Sequence, residues 1–477
     1  MTSTEDSSLA AEKQRIVQPE AKSYSNGVNH GATLGSLMAP NKTDSSDALH
    51  STSPSPSTAW DTFSAHVNYV NAVIGSGIIA MPFALREAGL VLGVVVIVLV
   101  AVVTDISLVL LMRAGRAART NTYQDTALAF LGTPGFIVCG GLQFAVPYLS
   151  MISYNLVAGD ALPKVLQRMA ELNPHSVWLS RELHIAMVTL LVTLPLSCVR
   201  SIKTLAHSAL LSIAILAVLA ISIALRVPVM TELEFIIASG LGPAQAIVTF
   251  GFGIHQISFS LYRSLDENVQ RWNETTHASL AASAGLCIFI AIAGYVTFGK
   301  FTQGDLLENY CWRDDLMNVM RCLFVFTVLF TFPSECFAAR EVIETSFFGK
   351  SQPASTLRHY GISLALVVSA MLLSFSTRCL AFVLQLTGLF FMCPLAFMLP
   401  SILFIKSQEN KTFSRQNVSA LLVLTFSIIA TIAGITTLIS DYVTLSTCSD
   451  GFQMDYCFTE VNGTKVPIKF TFLGVDY

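Results

Sequence analysis

About eleven long runs of apolar residues constrain this chain more than any other feature of its sequence. Each run is long enough to cross the hydrocarbon core of a bilayer, which takes about 20 residues in a helix. In lipid every backbone N–H and C=O must be hydrogen-bonded within the segment, so runs of this length must be α-helices. The sequence therefore predicts an all-α polytopic membrane protein, with spans near residues 63–86, 90–112, 135–158, 183–199, 204–225, 244–263, 277–298, 317–338, 358–376, 379–403 and 418–440.

Composition and motifs exclude several classes of protein. Only 12% of the residues are charged, against about 25% in soluble proteins, and the net charge of −3 does not favour a nucleic-acid partner. The chain has no HExxH, GxSxG or P-loop motif, so neither an enzyme nor a nucleotide-driven pump is predicted. We expect no cofactor, and we expect transport to be driven by an ion gradient.

The predicted spans divide the chain into three regions. Residues 1–61 are polar and rich in Ser and Thr, and we interpret them as a disordered cytoplasmic tail without a signal peptide. Residues 62–440 would form the transporter domain. Basic residues in the short loops, above all those at 113–119, favour an inside N-terminus. An odd number of spans then places the tail at 441–477 on the extracellular or lumenal side.

Two glycine clusters interrupt the first and sixth spans. The first span contains Gly75-Ser76-Gly77 in NAVIGSGIIAMPFAL, and the sixth contains Gly251 and Gly253 in IVTFGFGIHQISFSL. Helices five spans apart cross the membrane in opposite directions, as in an inverted repeat whose discontinuous helices bind substrate at the midplane. The alternative is that these glycines only allow close helix packing.

Longer motifs resemble a known family. NAVIGSGIIAMPFALREAGL is similar to the first-helix motif of the sodium-coupled neutral amino acid transporter family, within the amino acid/auxin permease group, and YLSMISYNLVAGDAL, FTQGDLLENYC and FPSECFAAREV extend the resemblance over roughly residues 62–460. The resemblance implies a leucine-transporter-type fold, with a five-plus-five inverted repeat and one extra helix. It also implies neutral amino acid substrates and coupling to sodium or protons.

The same resemblance suggests where substrate binds. Freed N–H and C=O groups at both breaks would hold the carboxylate and ammonium groups of an amino acid. The family motif FxFxCH is matched around the second break, with Ile254 in place of the Cys. A packing role for the lone His is the alternative. The predicted substrate-binding residues are Ile74, Gly75, Ser76, Gly77, Phe250, Gly251, Phe252 and His255.

Two residues match the family's sodium-binding positions. Asn71 lies one turn before the first break, and Thr331 precedes Phe332-Pro333 in the eighth span. Amide, hydroxyl and freed carbonyl oxygens suit a hard cation such as sodium. Alternatively, Asn71 forms an interhelical hydrogen bond instead of binding sodium. Thr327 is the alternative to Thr331 as the hydroxyl ligand. The residues after Pro333 depart from the family pattern, which leaves the coupling ion open.

Two acidic residues lie inside predicted spans. Asp105 and Glu335 would be costly in lipid, and such residues often have a function. Ion pairs with Arg113 and Arg340 are the structural alternative.

The outer tail contains further candidate sites. Among five N-x-[ST] sequons, only the one at Asn462 falls outside in this topology, so we predict glycosylation there. A disulfide between Cys448 and Cys457 is predicted because both lie in the outer tail, although Cys311, in an outer loop, competes for either partner.

The sequence thus predicts an ion-coupled, sodium-dependent symporter of neutral amino acids that works by alternating access. Its partners would be small neutral amino acids, sodium or protons, and lipid, and the plasma membrane is favoured over a lysosomal or vesicular membrane. A proton-coupled transporter of the same fold and an amino acid sensor that does not transport are the alternatives.

Overall fold

A computed structural model describes residues 59–173, 176–199, 208–230, 241–348, 355–408, 414–444, 454–461, 464–470 and 475–476. These residues form sixteen α-helices and four short strands. The helices are α1 (Ala59–Ile74), α2 (Met81–Ala88), α3 (Leu90–Ala118), α4 (Tyr123–Ala170), α5 (Arg181–Val188), α6 (Leu194–Cys198), α7 (Ser208–Met230), α8 (Leu241–Gly251), α9 (Ser258–Ser264), α10 (Val269–Phe298), α11 (Leu306–Asn309), α12 (Asp315–Ile343), α13 (Thr356–Phe375), α14 (Leu380–Leu386), α15 (Leu399–Ser407) and α16 (Val418–Thr444).

Within the described residues, nine helical segments are long and apolar enough to cross a membrane. A tenth is the first predicted span, in which Phe63–Ile74 and Ser76–Ala88 are bent by 44° at the break. The sixth predicted span consists of two short helices, α8 and α9, on either side of residues 252–257. Helix therefore occupies all eleven predicted positions. Helix α5 is joined to α6, and α14 to α15, by π-helical turns, so the two spans broken by non-helical residues are those that carry the glycine clusters.

Local sequence signals set several helix ends. Asn268 caps α10, since its side chain accepts hydrogen bonds from the backbone N–H groups of Gln270 and Arg271 at 2.9 and 3.1 Å. Gly132 has a φ of 68° and a ψ of −161°, a conformation that glycine adopts without a steric penalty. It separates a short first segment of α4 from the long membrane-spanning part. The predicted third span, at 135–158, begins just after this kink.

The described part of the C-terminal tail contacts the loop between α10 and α12. Strand β1 (Phe458–Val461) pairs antiparallel with β2 (Thr464–Pro467), and β3 (Lys469–Phe470) pairs with β4 (Val475–Asp476). The hydroxyl of Tyr456 donates a hydrogen bond to the carbonyl oxygen of Asn309 at 2.6 Å. This contact brings the start of the tail against the loop.

The predicted disulfide between Cys448 and Cys457 is wrong, because Cys457 is bonded to Cys311. Their Cα atoms are 5.5 Å apart, although 146 positions separate them in sequence. The Tyr456 contact explains the pairing, since it places the neighbouring Cys457 over the loop that carries Cys311. Cys448 and the sequon residue Asn462 lie outside the described residues, so glycosylation of Asn462 stays a prediction.

We expect non-reducing peptide mapping to recover a peptide that contains Cys311 joined to one that contains Cys457. Reduction should separate the two peptides. Cys322, which is exposed and unbonded, should be alkylated without prior reduction and serves as the internal control. If Cys311 were recovered as an alkylated residue without prior reduction of the sample, this pairing would be contradicted.

Candidate functional site

The two interrupted helices meet at their breaks. Gly75 has a φ of 39° and a ψ of −148°, and a short 3₁₀ helix over Ser76–Ala80 separates it from α2. A β-carbon added to Gly77 would lie 3.0 Å from the Cα of Gly251 and 3.4 Å from the Cδ1 of Phe250. Any larger residue at this position would force the two backbones to move apart by a few tenths of an ångström. The structure brings the first predicted cluster directly against the second.

The second break places two further predicted residues in the core. Phe252 is 1% exposed and His255 is fully buried. The ring of His255 packs edge-on against Phe397, with 6.3 Å between ring centroids. Among the described residues, neither ring nitrogen has a hydrogen-bond partner. A buried polar group without a partner is costly, so His255 is one of the groups here available to a ligand.

The geometry at the breaks suits a small zwitterion. The first backbone N–H groups of a helix have no intrahelical partner, and the N-terminal end of a helix favours negative charge. The hydroxyl of Ser76 is buried and has no partner among the described residues. Donors of this kind fit a carboxylate, while carbonyl groups released at the end of a helix fit an ammonium group. Ile74, at the end of α1, is also buried beside the break.

The two predicted sodium ligands lie on helices that share α7 as a neighbour but otherwise pack against different helices. Asn71 is partly buried on α1, which packs chiefly against α10 and α7. Thr331 is on α12, which packs chiefly against α4 and α7, and its hydroxyl donates to the carbonyl oxygen of Thr327 at 2.8 Å. No described hydrogen bond joins Asn71 to Thr331, so their joint role stays a prediction.

Neither intramembrane acid forms the ion pair considered from the sequence. The carboxylate of Asp105 lies 2.6 Å from the Nδ1 of His277 rather than beside Arg113. Glu335 is hydrogen-bonded to the hydroxyl of Tyr154. A tyrosine inside an apolar run gives no signal of its partner, so Tyr154 could not be identified from the sequence.

The guanidinium of Arg340 donates to Ser363 at 2.6 Å and forms no described salt bridge with Glu335. The Tyr154–Glu335 hydrogen bond therefore links α4 to α12 without a cation among the described residues. A carboxyl group held in this way is a candidate proton carrier.

Several charged residues at the disulfide end of the bundle are paired or hydrogen-bonded. Lys164 of α4 lies 3.2 Å from the carboxylate of Glu308. Arg226 of α7 forms two hydrogen bonds of 2.7 Å with Asp314, and both side chains are fully buried. Arg321 donates to the carbonyl oxygen of Leu307 at 2.8 Å. These contacts fasten the loop at 302–314 to three long helices.

One carboxyl group in this loop lacks a cation. Asp305 accepts a hydrogen bond from the backbone N–H of Leu307 at 2.8 Å, and its other oxygen is buried without a partner among the described residues. Burial, together with the nearby carboxylates of Glu308 and Asp160, raises the pKa of Asp305 to about 8. The carboxyl group is therefore mostly neutral at pH 7.

Because the pKa of Asp305 is higher in the folded than in the unfolded protein, its ionisation destabilises the fold progressively between about pH 4 and pH 8. An asparagine at position 305 can still accept the hydrogen bond from the backbone N–H of Leu307, but it cannot ionise. We therefore expect Asp305→Asn to melt close to wild type at pH 5 and above wild type at pH 9. Equal melting temperatures of the two purified proteins at both pH values would contradict this assignment.

Comparison with known proteins supports an amino acid transporter. Residues 57–440 match the family described as "Transmembrane amino acid transporter protein". "Putative sodium-coupled neutral amino acid transporter 11" of Rattus norvegicus is 36% identical over 401 residues, which cover 82% of this chain and 87% of that protein. "Vacuolar amino acid transporter 2" of Saccharomyces cerevisiae is 26% identical over 356 residues, covering 70% of this chain and 74% of the yeast protein.

The architecture is also found among solved structures. The crystal structure of a manganese transporter from Eremococcus coleocola superposes with a TM-score of 0.53 at 12% identity, covering 82% of this chain and 90% of that one. At this identity the likeness shows the fold alone, and it confirms the predicted leucine-transporter-type architecture. From the family match and the identity to these relatives, we conclude that this multi-pass membrane protein belongs to the transmembrane amino acid transporter family.

Proposed function

We propose that this protein is a sodium-dependent symporter of neutral amino acids, in which substrate binds where the two broken helices meet. The observation that carries the proposal is the contact between Gly77 and Gly251, because it brings two helix breaks together inside the bundle. The name of the rat relative supports neutral amino acids and sodium. We favour the plasma membrane.

The proposed binding site divides the substrate between backbone and side chains. The carboxylate would accept hydrogen bonds from the N–H groups that begin the 3₁₀ helix at Ser76 and Gly77. The ammonium group would face carbonyl oxygens at the ends of α1 and α8. Phe250, whose ring lies beside Gly77, would cover the apolar side chain, so Phe250→Ala should alter selectivity among neutral amino acids more than sodium dependence.

Alternating access would use the same arrangement. In folds of this type one bundle rocks against the rest around a central site. The breaks separate α1 from α2 and α8 from α9, so each half-helix can move with a different neighbour. Sodium bound by Asn71 and Thr331 would favour the conformation in which α1 and α12 are close together.

Coupling to protons is the second candidate, and the hydrogen bond between Tyr154 and Glu335 favours it. Uptake of radiolabelled neutral amino acids into proteoliposomes, with sodium and external pH varied independently, separates the two. Sodium coupling predicts that uptake collapses when choline replaces sodium. Uptake that is unchanged by this replacement but rises with external acidity would establish proton coupling. In that case Glu335→Gln should abolish the dependence of uptake on external acidity. Binding of substrate without measurable flux would instead indicate a sensor.

Asn71→Ala should raise the sodium concentration for half-maximal uptake by about tenfold, on the order of 1–2 kcal/mol of coupling. Because coupling between two ligands is reciprocal, the apparent affinity for the amino acid should fall at limiting sodium. Asn68→Ala is the matched control, since Asn68 lies one turn earlier on α1 and contacts Ser64 at 3.5 Å. Uptake normalised to surface protein is the measurement, and equal sodium dependence in both variants would remove Asn71 from the ion site.

A further inference from the structure

A cavity of about 400 Å³ lies where the C-terminal ends of α3 and α9 approach each other. Its floor is apolar, formed by Met112, Gly115 and Phe259. A β-carbon on Gly115 would lie 2.7 Å from the ring of Phe259, so the floor is closed. Arginines line the walls.

The cavity lies at the end of the bundle opposite the disulfide. Helix α3 begins beside Arg86, which donates to Thr302 of the disulfide-bearing loop at 2.9 Å. It then runs for 29 residues, or about 44 Å at 1.5 Å per residue, before it reaches the cavity. Disulfides persist in oxidising compartments. The cavity therefore faces the cytoplasm, in agreement with the orientation favoured by the basic loops.

The charge of the cavity is unbalanced. Arg116, Arg119 and Arg263 line it together with one carboxylate, that of Glu267. In the described part of the chain none of these three arginines forms a salt bridge, and the Nε of Arg263 is buried without a hydrogen-bond partner. The neighbouring Asp266 is engaged by Arg271 at 3.0 Å. Arginines at the disulfide end, by contrast, mostly have acidic partners.

Helix-end electrostatics account for only part of this arrangement. Arg116 and Arg263 lie in the last turns of α3 and α9, where a cation interacts favourably with the helix dipole. That effect would operate equally if each side chain pointed into open water. It does not explain why three guanidinium groups converge on one cavity that has a closed, apolar floor.

Both walls are rigid. Arg119 adopts a left-handed conformation with a φ of 53°, and the hydroxyl of the following Thr120 contacts that of Thr126 at 2.6 Å. Across the cavity, the hydroxyl of Tyr262 donates to the carbonyl oxygen of Glu267 at 2.5 Å. The backbone on both sides of the cavity is therefore fixed, and fewer torsions have to be ordered when a ligand binds. Preorganisation of this kind lowers the entropic cost of binding.

We propose that this cavity binds the phosphate groups of a multiply phosphorylated inositol headgroup on the cytoplasmic side. Guanidinium groups bind phosphate through paired, charge-assisted hydrogen bonds. The hydroxyl of Thr120 and the amide of Asn121 line the same cavity and supply neutral donors. Basic pockets between helices on the cytoplasmic side are known to accept such headgroups. The headgroup reaches the cavity either on an inner-leaflet lipid or as a free inositol phosphate.

The test uses the full-length protein in phosphatidylcholine nanodiscs. The discs are doped with phosphatidylinositol bisphosphate or, at equal total charge, with phosphatidylserine, and lipid retention is measured by native mass spectrometry. Soluble inositol trisphosphate is titrated separately into undoped discs. Preferential retention of the phosphoinositide alone assigns the lipid as the source. Binding of inositol trisphosphate as well shows that the headgroup suffices. Equal retention of the two lipids without trisphosphate binding would overturn the proposal in favour of a non-specific basic surface.

Variants locate the binding to this cavity. Each arginine should contribute about fivefold to affinity, so Arg263→Gln weakens binding about fivefold and Arg116→Gln with Arg119→Gln weakens it about 25-fold. Arg113→Gln is the matched control, because Arg113 is exposed on the same helix and does not line the cavity. Arg116 and Arg119 are also exposed, so their replacement should not impair folding. Equal binding by the Arg263 and Arg113 variants would refute the site.

Discussion

Gly77→Val should reduce amino acid uptake by about tenfold or more, because overpacking at a closed contact costs about 1–3 kcal/mol. The added β-carbon would meet the backbone of Gly251 at 3.0 Å, and a backbone atom cannot rotate away as a side-chain end can. The breaks would be forced apart, and the donors and acceptors proposed to hold the substrate would separate. Uptake is measured per molecule at the cell surface.

Gly285→Val is the matched control for this substitution. Gly285 lies within α10, and a β-carbon added there meets no atom within 4 Å. The Gly285→Val protein should therefore transport amino acids at the wild-type rate. Gly77→Val protein that reaches the surface and still transports normally would show that the contact between the breaks has no part in transport.

Arg226→Met should be the most destabilising single change in the loop region, by about 3–5 kcal/mol. The substitution leaves the carboxylate of Asp314 fully buried after loss of both hydrogen bonds from Arg226, and an unpaired buried charge is far more costly than a buried pair. The expected result is a large fall in the melting temperature of the purified protein, accompanied by a loss of surface expression.

The double variant Arg226→Met with Asp314→Asn should recover much of that loss. Asparagine removes the unpaired charge and keeps a side-chain oxygen able to cap Met317, as Asp314 does at 3.1 Å. Arg168→Met is the control, since Arg168 and Asp315 form an exposed pair at 2.6 Å whose loss should cost no more than about 1 kcal/mol. A double variant as unstable as Arg226→Met would show that packing of the arginine matters more than its charge.

The charge network bears on how basic residues are counted when an orientation is predicted from the sequence. The outer loops contain several cations, but Lys164 and Arg226 are matched there by Glu308 and Asp314. A count of basic residues cannot distinguish a paired cation from an unpaired one. Among the described residues, Arg116, Arg119 and Arg263 at the opposite end line one cavity without forming a salt bridge.

The sequence by itself determined the number and order of the helical spans and the places where two of them break. These properties depend on local quantities: the length of an apolar run, the need to satisfy backbone hydrogen bonds in lipid, and the freedom of Gly75 to adopt a positive φ. The odd spacing between the broken spans was enough to predict their antiparallel arrangement. No knowledge of which helices pack together was needed for any of this.

Only the tertiary structure decided which distant groups meet. Cys457 pairs with Cys311 across 146 positions, and Glu335 bonds to Tyr154 rather than to the nearby Arg340. Similarly, Gly77 touches Gly251. Each of these partnerships depends on the packing of whole helices, which is set by the sum of many weak contacts rather than by a motif. Sequence separation therefore carries no information about them, and the hydrogen bond of Tyr456 with Asn309 beside the Cys311–Cys457 disulfide is visible only in the folded chain.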